Sequence, residues 1–271
     1  MKNLINKISG VGFILFFALS ISAQDYKIKM TSGGKVIIDQ VDEVTIEGHN
    51  GTEVIIQGKN SSDDEADDRA KGLRVISGSG SVDNTGLGLS AVKEGNELTI
   101  EQVSKQSEGR YTIKIPQGVS VLYEHNDHSG EELIVKNFSS EIEVSAHFND
   151  VKLLDITGPM SVNTTHGDIE ATFKKVSQSN PITIRSSHGW IDVTIPNDTK
   201  ANLKLKSSHG DMFTDFDIDR SIKGTTPKSG KKDSCGSCDN NRNRMLGGIN
   251  GGGVLVDLYS SHNNIYLRKK S

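Results

Sequence analysis

One six-residue phrase recurs four times in the second half of this chain: TTHGDI at 164–169, SSHGWI at 186–191, SSHGDM at 207–212 and SSHNNI at 260–265. Each copy sits at the same place in a longer apolar pattern. Four residues before the histidine stand Val162, Ile184, Leu205 and Leu258, and six before it Met160, Ile182, Leu203 and Val256. Three after it stand Ile169, Ile191, Met212 and Ile265, and five after it Ala171, Val193, Thr214 and Leu267. Apolar positions two apart belong to strands with one buried face, so each unit reads strand, tight turn, strand. Such a unit cannot bury its apolar face alone and must stack on its neighbours.

Histidine spacings of 22 and 21 residues give one two-strand coil per repeat, and the last spacing, 53, gives one further coil plus an insertion. The residue after each histidine is Gly167, Gly189, Gly210 or Asn263, which predicts a turn with positive φ. An earlier unit from Ile142 to Val151 fits the same columns at a spacing of 18, with Phe148 in place of the histidine. That alignment makes the column half-buried and puts His147 on the opposite face. At the other end Lys269 takes the column of Phe173, Ile195 and Phe216, so Arg268, Lys269 and Lys270 read as a charged cap on the last edge.

Residues 1–23 carry Lys2 and Lys7, an apolar run from Val11 to Leu19, and small residues ending at Ala23. This is the pattern of a secretory signal peptide, with an apolar run too short to span a bilayer comfortably. No later segment is apolar enough for a membrane span. Without the two leader lysines the 31 basic residues become 29 against 35 acidic ones, a net charge of about −6, which argues against nucleic acid as a partner. Abundant glycine and short alternating runs in place of helical stripes predict an all-β chain.

The expected organisation is a leader over 1–23 and one β-solenoid over 24–271. Residues 24–128 form irregular leading coils and 129–271 regular ones. A run of acids at 63–68 reads as a solvated loop. Residues 219–253, rich in Gly, Ser, Asn and Lys, read as a mobile basic insertion. Its Lys223, Lys228, Lys231, Lys232, Arg242 and Arg244 are candidate partner contacts on an otherwise acidic protein.

Cys235 and Cys238, the only cysteines, stand as CGSC inside the insertion. No βαβ setting would activate them for redox catalysis, and zinc would need four ligands, so an exported chain points to a local disulfide. His166, His188, His209 and His262 fall in one column at a coil spacing of about 4.8 Å. Imidazoles so placed could share a transition metal. Phe148 in the column, and Asp168, Trp190, Asp211 and Asn264 two residues beyond the histidines in place of a carboxylate column, favour a packed ladder whose rings bond turn backbone. Thr164, Ser186, Ser207 and Ser260, two before each histidine, look like partners for nucleophilic chemistry. Four equivalent copies indicate scaffold instead, because a triad needs one activated serine.

The repeat units, the opening KVIIDQVDEVTIEGHNGTEVIIQG and the middle phrase YTIKIPQGVSV resemble the exported bacterial β-strand-repeat proteins called putative adhesins, a domain of unknown function. The resemblance covers nearly the whole mature chain apart from the insertion. It implies a β-solenoid, a periplasmic or surface location and a binding role, and it carries no catalytic residues. Histidine at the turn departs from the family's more usual asparagine or serine. The sequence thus predicts an all-β, parallel, single-stranded solenoid of two-strand coils of about 20 residues. It acts as a non-enzymatic exported envelope protein with no cofactor and with an envelope glycan or protein as partner. An envelope sensor, or a solenoid enzyme acting on polysaccharide, are the alternatives. An enzyme would need a convergent pair of acids that the sequence does not identify.

Overall fold

The computed structural model describes residues 25–58, 69, 72–104, 109–222 and 243–270. The signal-peptide segment, the acids at 63–68, Cys235, Cys238, Lys223, Lys228, Lys231, Lys232 and Arg242 lie outside the described residues. Among the described residues there is no helix long and apolar enough to cross a membrane.

Alternating Val, Ile, Leu and Thr produce strands, and the strands pair into two ten-stranded sheets. Eight coils each place one strand in each sheet. In chain order they are β2(Lys35–Asp39)/β3(Glu43–His49), β6(Glu97–Gln102)/β7(Arg110–Pro116), β8(Ser120–His125)/β9(Glu132–Lys136) and β10(Ile142–Ala146)/β11(Asp150–Ile156). There follow β12(Met160–Thr164)/β13(Ile169–Phe173), β14(Ile182–Ser186)/β15(Ile191–Pro196), β16(Ala201–Ser207)/β17(Met212–Thr214) and β19(Val254–Ser260)/β20(Ile265–Lys270). Coil-to-coil pairing is parallel throughout, as the solenoid expectation requires. The apolar columns come into register: Met160 pairs with Ile182 and Ile182 with Val256, while Ile169 pairs with Ile191 and Ile191 with Ile265. These side chains fill one continuous core between the sheets. Each fully buried Ile or Val contributes about 1.5–3 kcal/mol.

The stacking order departs from chain order at both ends. The last coil, β19/β20, is inserted between β14/β15 and β16/β17. The first coil, β2/β3, likewise lies between β8/β9 and β6/β7. The charged end is therefore no terminal cap on the stack. β17 is so short that it pairs only with Ile265–Leu267, and Arg268–Lys270 keep β15 as their ladder partner. Added antiparallel strands cover the end coils except at β17, which stays an edge among the described residues. β5(Leu89–Glu94) lies on β6, β4(Glu53–Gly58) on β7, β1(Tyr26–Lys29) on β4, and β18(Arg244–Ile249) on β16.

Two expectations about organisation change accordingly. The leading segment contains regular parallel coils, and its irregularity lies in the antiparallel strands added at the end. The insertion is not loop throughout, because RMLGGI pairs along Ala201–Lys206 as β18. Gly247 and Gly248, which composition assigned to a loop, allow Ile218 and Ile222 to pack closely over that strand.

Candidate functional site

At one corner of every coil the chain turns from one sheet into the other, and in four of the eight coils the repeated phrase makes that turn. Parallel pairing runs on through the corner: the His188 N–H donates to Thr165 O at 2.9 Å and the His262 N–H to Ser187 O at 3.1 Å. The imidazoles consequently stack. Ring centroids are 4.7 Å apart for His166 and His188, 4.6 Å for His188 and His262, and 4.9 Å for His262 and His209, with interplanar angles of 13° or less. Phe148 extends the ladder beyond His166 at 4.9 Å. All four histidines are exposed and Phe148 is 39% exposed, so the column is a surface ladder and not a half-buried one. His147 is not on the opposite face. Its ring lies 4.6 Å from Phe148 and 5.7 Å from His166, because strand alternation has ended at Ala146.

Nδ1 of His262 lies 3.0 Å from Ser187 O and Nδ1 of His209 lies 2.9 Å from Ser261 O. A carbonyl only accepts, so each Nδ1 is a protonated nitrogen. Partial desolvation in the stack first, and then the neighbouring His262 and His166, hold His188 below its ordinary pKa.

Beneath the rings the serine column is scaffold. Ser186 Oγ accepts from the Gly189 N–H at 2.8 Å and donates to Gly167 O of the adjacent coil at 3.2 Å. Ser260 repeats the pattern with Asn263 N–H and Gly189 O, and Ser207 with Gly210 N–H and Asn263 O. These hydroxyls tie coil to coil. The glycines are required by close approach and not by positive φ. A Cβ on Gly189 would lie 2.1 Å from Gly167 O, and one on Gly167 would lie 1.7 Å from Asn149 O.

Further along the same corner is a polar network that sequence reasoning missed. His125, 0% exposed, occupies the column that holds Ala146 and Thr164 in the next coils. Its Nε2 lies 2.9 Å from Asp42 Oδ1, which also accepts from Ser129 Oγ at 2.7 Å, while Gln102 Nε2 donates to Asp42 Oδ2 at 3.0 Å. Burial would raise the Asp42 carboxyl, but hydrogen bonds from His125 and Ser129, the His125 charge and the Gln102 bond together hold it below its ordinary value. Asn149 Nδ2 donates to Asp42 O and to Tyr123 Oη, whose own proton goes to Val41 O. Burial, then the Asp42 charge, pushes the Tyr123 phenol up. A cleft of about 590 Å³ opens here, lined among others by Asp39, Asp42, Glu101, Asp127 and His125. Ser129 and His125 both bond to Asp42, so the serine hydroxyl meets the carboxylate and not the imidazole. That arrangement is a cross-coil tie and lacks the order of a nucleophilic triad. The sequence signal was faint: an imidazole in a column otherwise held by Ala, Thr and Ser.

Among the described residues no three His, Cys, Asp or Glu side chains are placed to hold one metal ion. Arg244, the described member of the basic contact set, begins β18 beside Lys206. Among the described residues its buried Nε has no hydrogen-bond partner, and with Arg220 it lines a hollow shared with Leu205, Phe213 and Met245.

A family model described as Toastrack DUF4097 matches residues 18–237, most of the chain. The chain belongs to this Toastrack family. The stacked parallel coils are thus a Toastrack solenoid. Two solved structures resemble it. A putative cell adhesion protein from Clostridium sporogenes has 12% identity, covering 91% of this chain and 99% of that one, with a TM-score of 0.39. A putative adhesin from Bacteroides fragilis has 11% identity, covering 90% and 95%, with a TM-score of 0.34. Likeness at this level carries no argument about what this chain does. No curated protein matches it.

Proposed function

We propose that this Toastrack chain is an exported, non-enzymatic binding protein of the bacterial envelope, adhesin-like in role, that holds an extended glycan against the outer face of its second sheet. Export rests on the leader pattern of residues 1–23. The observation that carries the binding reading is an aromatic platform on that face. Phe213 and Tyr266 stack at 5.1 Å, Arg268 lies 5.2 Å over the Tyr266 ring, and Arg268 is fixed by Asp192 at 2.9 Å. Phe213 is 47% exposed. Exposed aromatic rings on a rigid sheet present apolar faces to a flat ligand, while adjoining Asp192, Thr194 and Arg268 offer hydrogen bonds. The ladder pairing fixes these groups in rows, which suits a polymer better than a compact molecule.

The basic residues 223–242 and the Cys235–Cys238 disulfide complete the proposal as a second, electrostatic contact and its local staple. Mature protein would be presented to envelope glycan extracts at low and high salt, beside a Phe213→Ala/Tyr266→Ala variant and a chain lacking 223–242. Loss of capture in the double variant supports the platform, and loss confined to the deletion moves the contact to the insertion. Equal recovery from all three removes both. Appearance of cleaved glycan would replace binding with enzymatic action. Thiol labelling of exported protein tests the disulfide, and two free thiols would refute it.

A further inference from the structure

We propose that the outer sheet face formed by β14, β19, β16 and β18 binds an acidic linear polysaccharide along the row Arg185, Tyr259 and Lys206. The Phe213 and Tyr266 platform belongs to the other sheet, so this site does not depend on it. Strand alternation buries Leu203, Leu205 and Ser207 and turns Lys204 and Lys206 outward. Ladder register sets Arg185 beside Tyr259 and Tyr259 beside Lys206, and β18 continues the row to Arg244. These four strands carry Arg185, Lys204, Lys206 and Arg244 against a single acid, Asp257, in a chain whose formal net charge is −4. The next carboxylate on this face is Glu143 on β10, two strands beyond β14.

An approaching anion meets the cations and not the acid. The Asp257 side chain is 8% exposed and accepts from Lys204 at 2.8 Å, with Arg185 at 3.5 Å, whereas the Arg185 side chain is 49% exposed. One buried carboxylate thus positions two cationic side chains without cancelling both. Lys206 Nζ rests 5.5 Å from the Tyr259 ring centroid, a cation–π contact that leaves its charge uncompensated. Ser261 Oγ donates to Tyr259 Oη at 2.9 Å and Ser208 Oγ lies 3.5 Å from the same oxygen, so hydroxyls border the charges. Adjacent strands are about 4.8 Å apart, which puts Arg185 and Lys206 about 9.6 Å apart with Tyr259 between them. An open sheet face has no walls to strip water from a small anion. A polymer engages several cations at once and gains from their linkage. Single-stranded nucleic acid would ask for free aromatic faces, and Tyr259, the one aromatic residue on these four strands, already carries Lys206. Sugar hydroxyls, in contrast, match the bordering serines, and the Arg185 fork matches a sulfate or carboxylate.

The test measures binding of the mature chain to immobilised dextran sulfate, polygalacturonate, neutral dextran and poly(dT), at low and high salt. Saturable binding to at least one of the two acidic polysaccharides, weakened by salt, is expected, and which of them binds tells sulfate from carboxylate recognition. Arg185→Gln/Lys206→Gln removes two exposed contacts and should weaken this binding by about tenfold. Arg185→Lys/Lys206→Arg keeps the charge and should retain it. Lys206→Gln alone serves if the glutamine pair does not fold. The Phe213→Ala/Tyr266→Ala variant and the chain lacking 223–242 should both still bind, which separates this site from the platform and from the insertion. No saturable binding to either acidic polysaccharide, equal affinity in the glutamine variant, or equal capture by neutral dextran would overturn the proposal. Loss of binding in the 223–242 deletion would assign the anion to the insertion, and tighter capture by poly(dT) would make the partner nucleic acid; either outcome also overturns it.

Discussion

His188 stacks its imidazole on His262 at 4.6 Å, although His209 stands between them in sequence. The final coil was therefore laid in between two coils that precede it, and β19 is paired on both sides, with β14 and with β16.

Ending the chain at Gly253 should loosen two coils and not one. Without β19 and β20, β16/β17 has lost its neighbour and β14/β15 becomes the edge. Hydrogen exchange is expected to be fast across 201–214 as well as 182–196. Persistent protection of 201–207 in the shortened chain would show that β16 does not depend on β19.

Gly189→Ala places a methyl 2.1 Å from Gly167 O, where only backbone can move. Overpacking of this kind costs about 1–3 kcal/mol. Chemical denaturation should show a lower midpoint with an unchanged slope. An unaltered midpoint would mean that adjacent coils can separate locally at the corner.

Asp42 is held below its ordinary carboxyl value of 3.8. The unfolded chain then takes up its proton first as pH falls, so this stabilisation is full above 3.8 and is lost as pH drops through the lower folded value. Asp42→Asn should cost about 1–3 kcal/mol at neutral pH, with the two stability curves converging at low pH. Parallel curves from pH 7 to pH 3 would contradict it.

The sign is the same for His188 at a higher pH. A histidine whose folded pKa lies below 6.5 leaves the unfolded state binding more protons, so stability falls as pH drops below about 6.5. His188→Phe should reduce this acid-side loss while keeping the ladder stacked. Thermal midpoints at pH 7.5 and 5.5 decide it, and an identical drop in both proteins would locate the titration elsewhere.

The pattern at Met160, Ile182, Leu203 and Val256 made strands, period and register legible, because a half-buried strand writes its face into every second residue. The order of coils was not legible. His209 and His262 carry the same phrase, and nothing in a repeated unit says which neighbour it meets. The turn glycines were recognised for the wrong cause, since a close backbone approach between Gly189 and Gly167 is a cross-coil property and leaves no local signature. Asp42 and His125 were passed over for a related reason: they lie 83 residues apart and belong to no motif. Gly247 and Gly248 hid β18, because composition cannot distinguish a loop from a strand that needs room for Ile218 and Ile222.

The sewn-in first and last coils also govern how such a protein can lengthen by duplication. A copied coil inserted between β10/β11 and β14/β15 meets neighbours already adjacent in the chain, and every other pairing survives. A copy appended after β20 would have to enter a stack whose outer place is held by β16/β17 under β18. Growth of this architecture is therefore interstitial, and the two ends are inherited as fixed pieces.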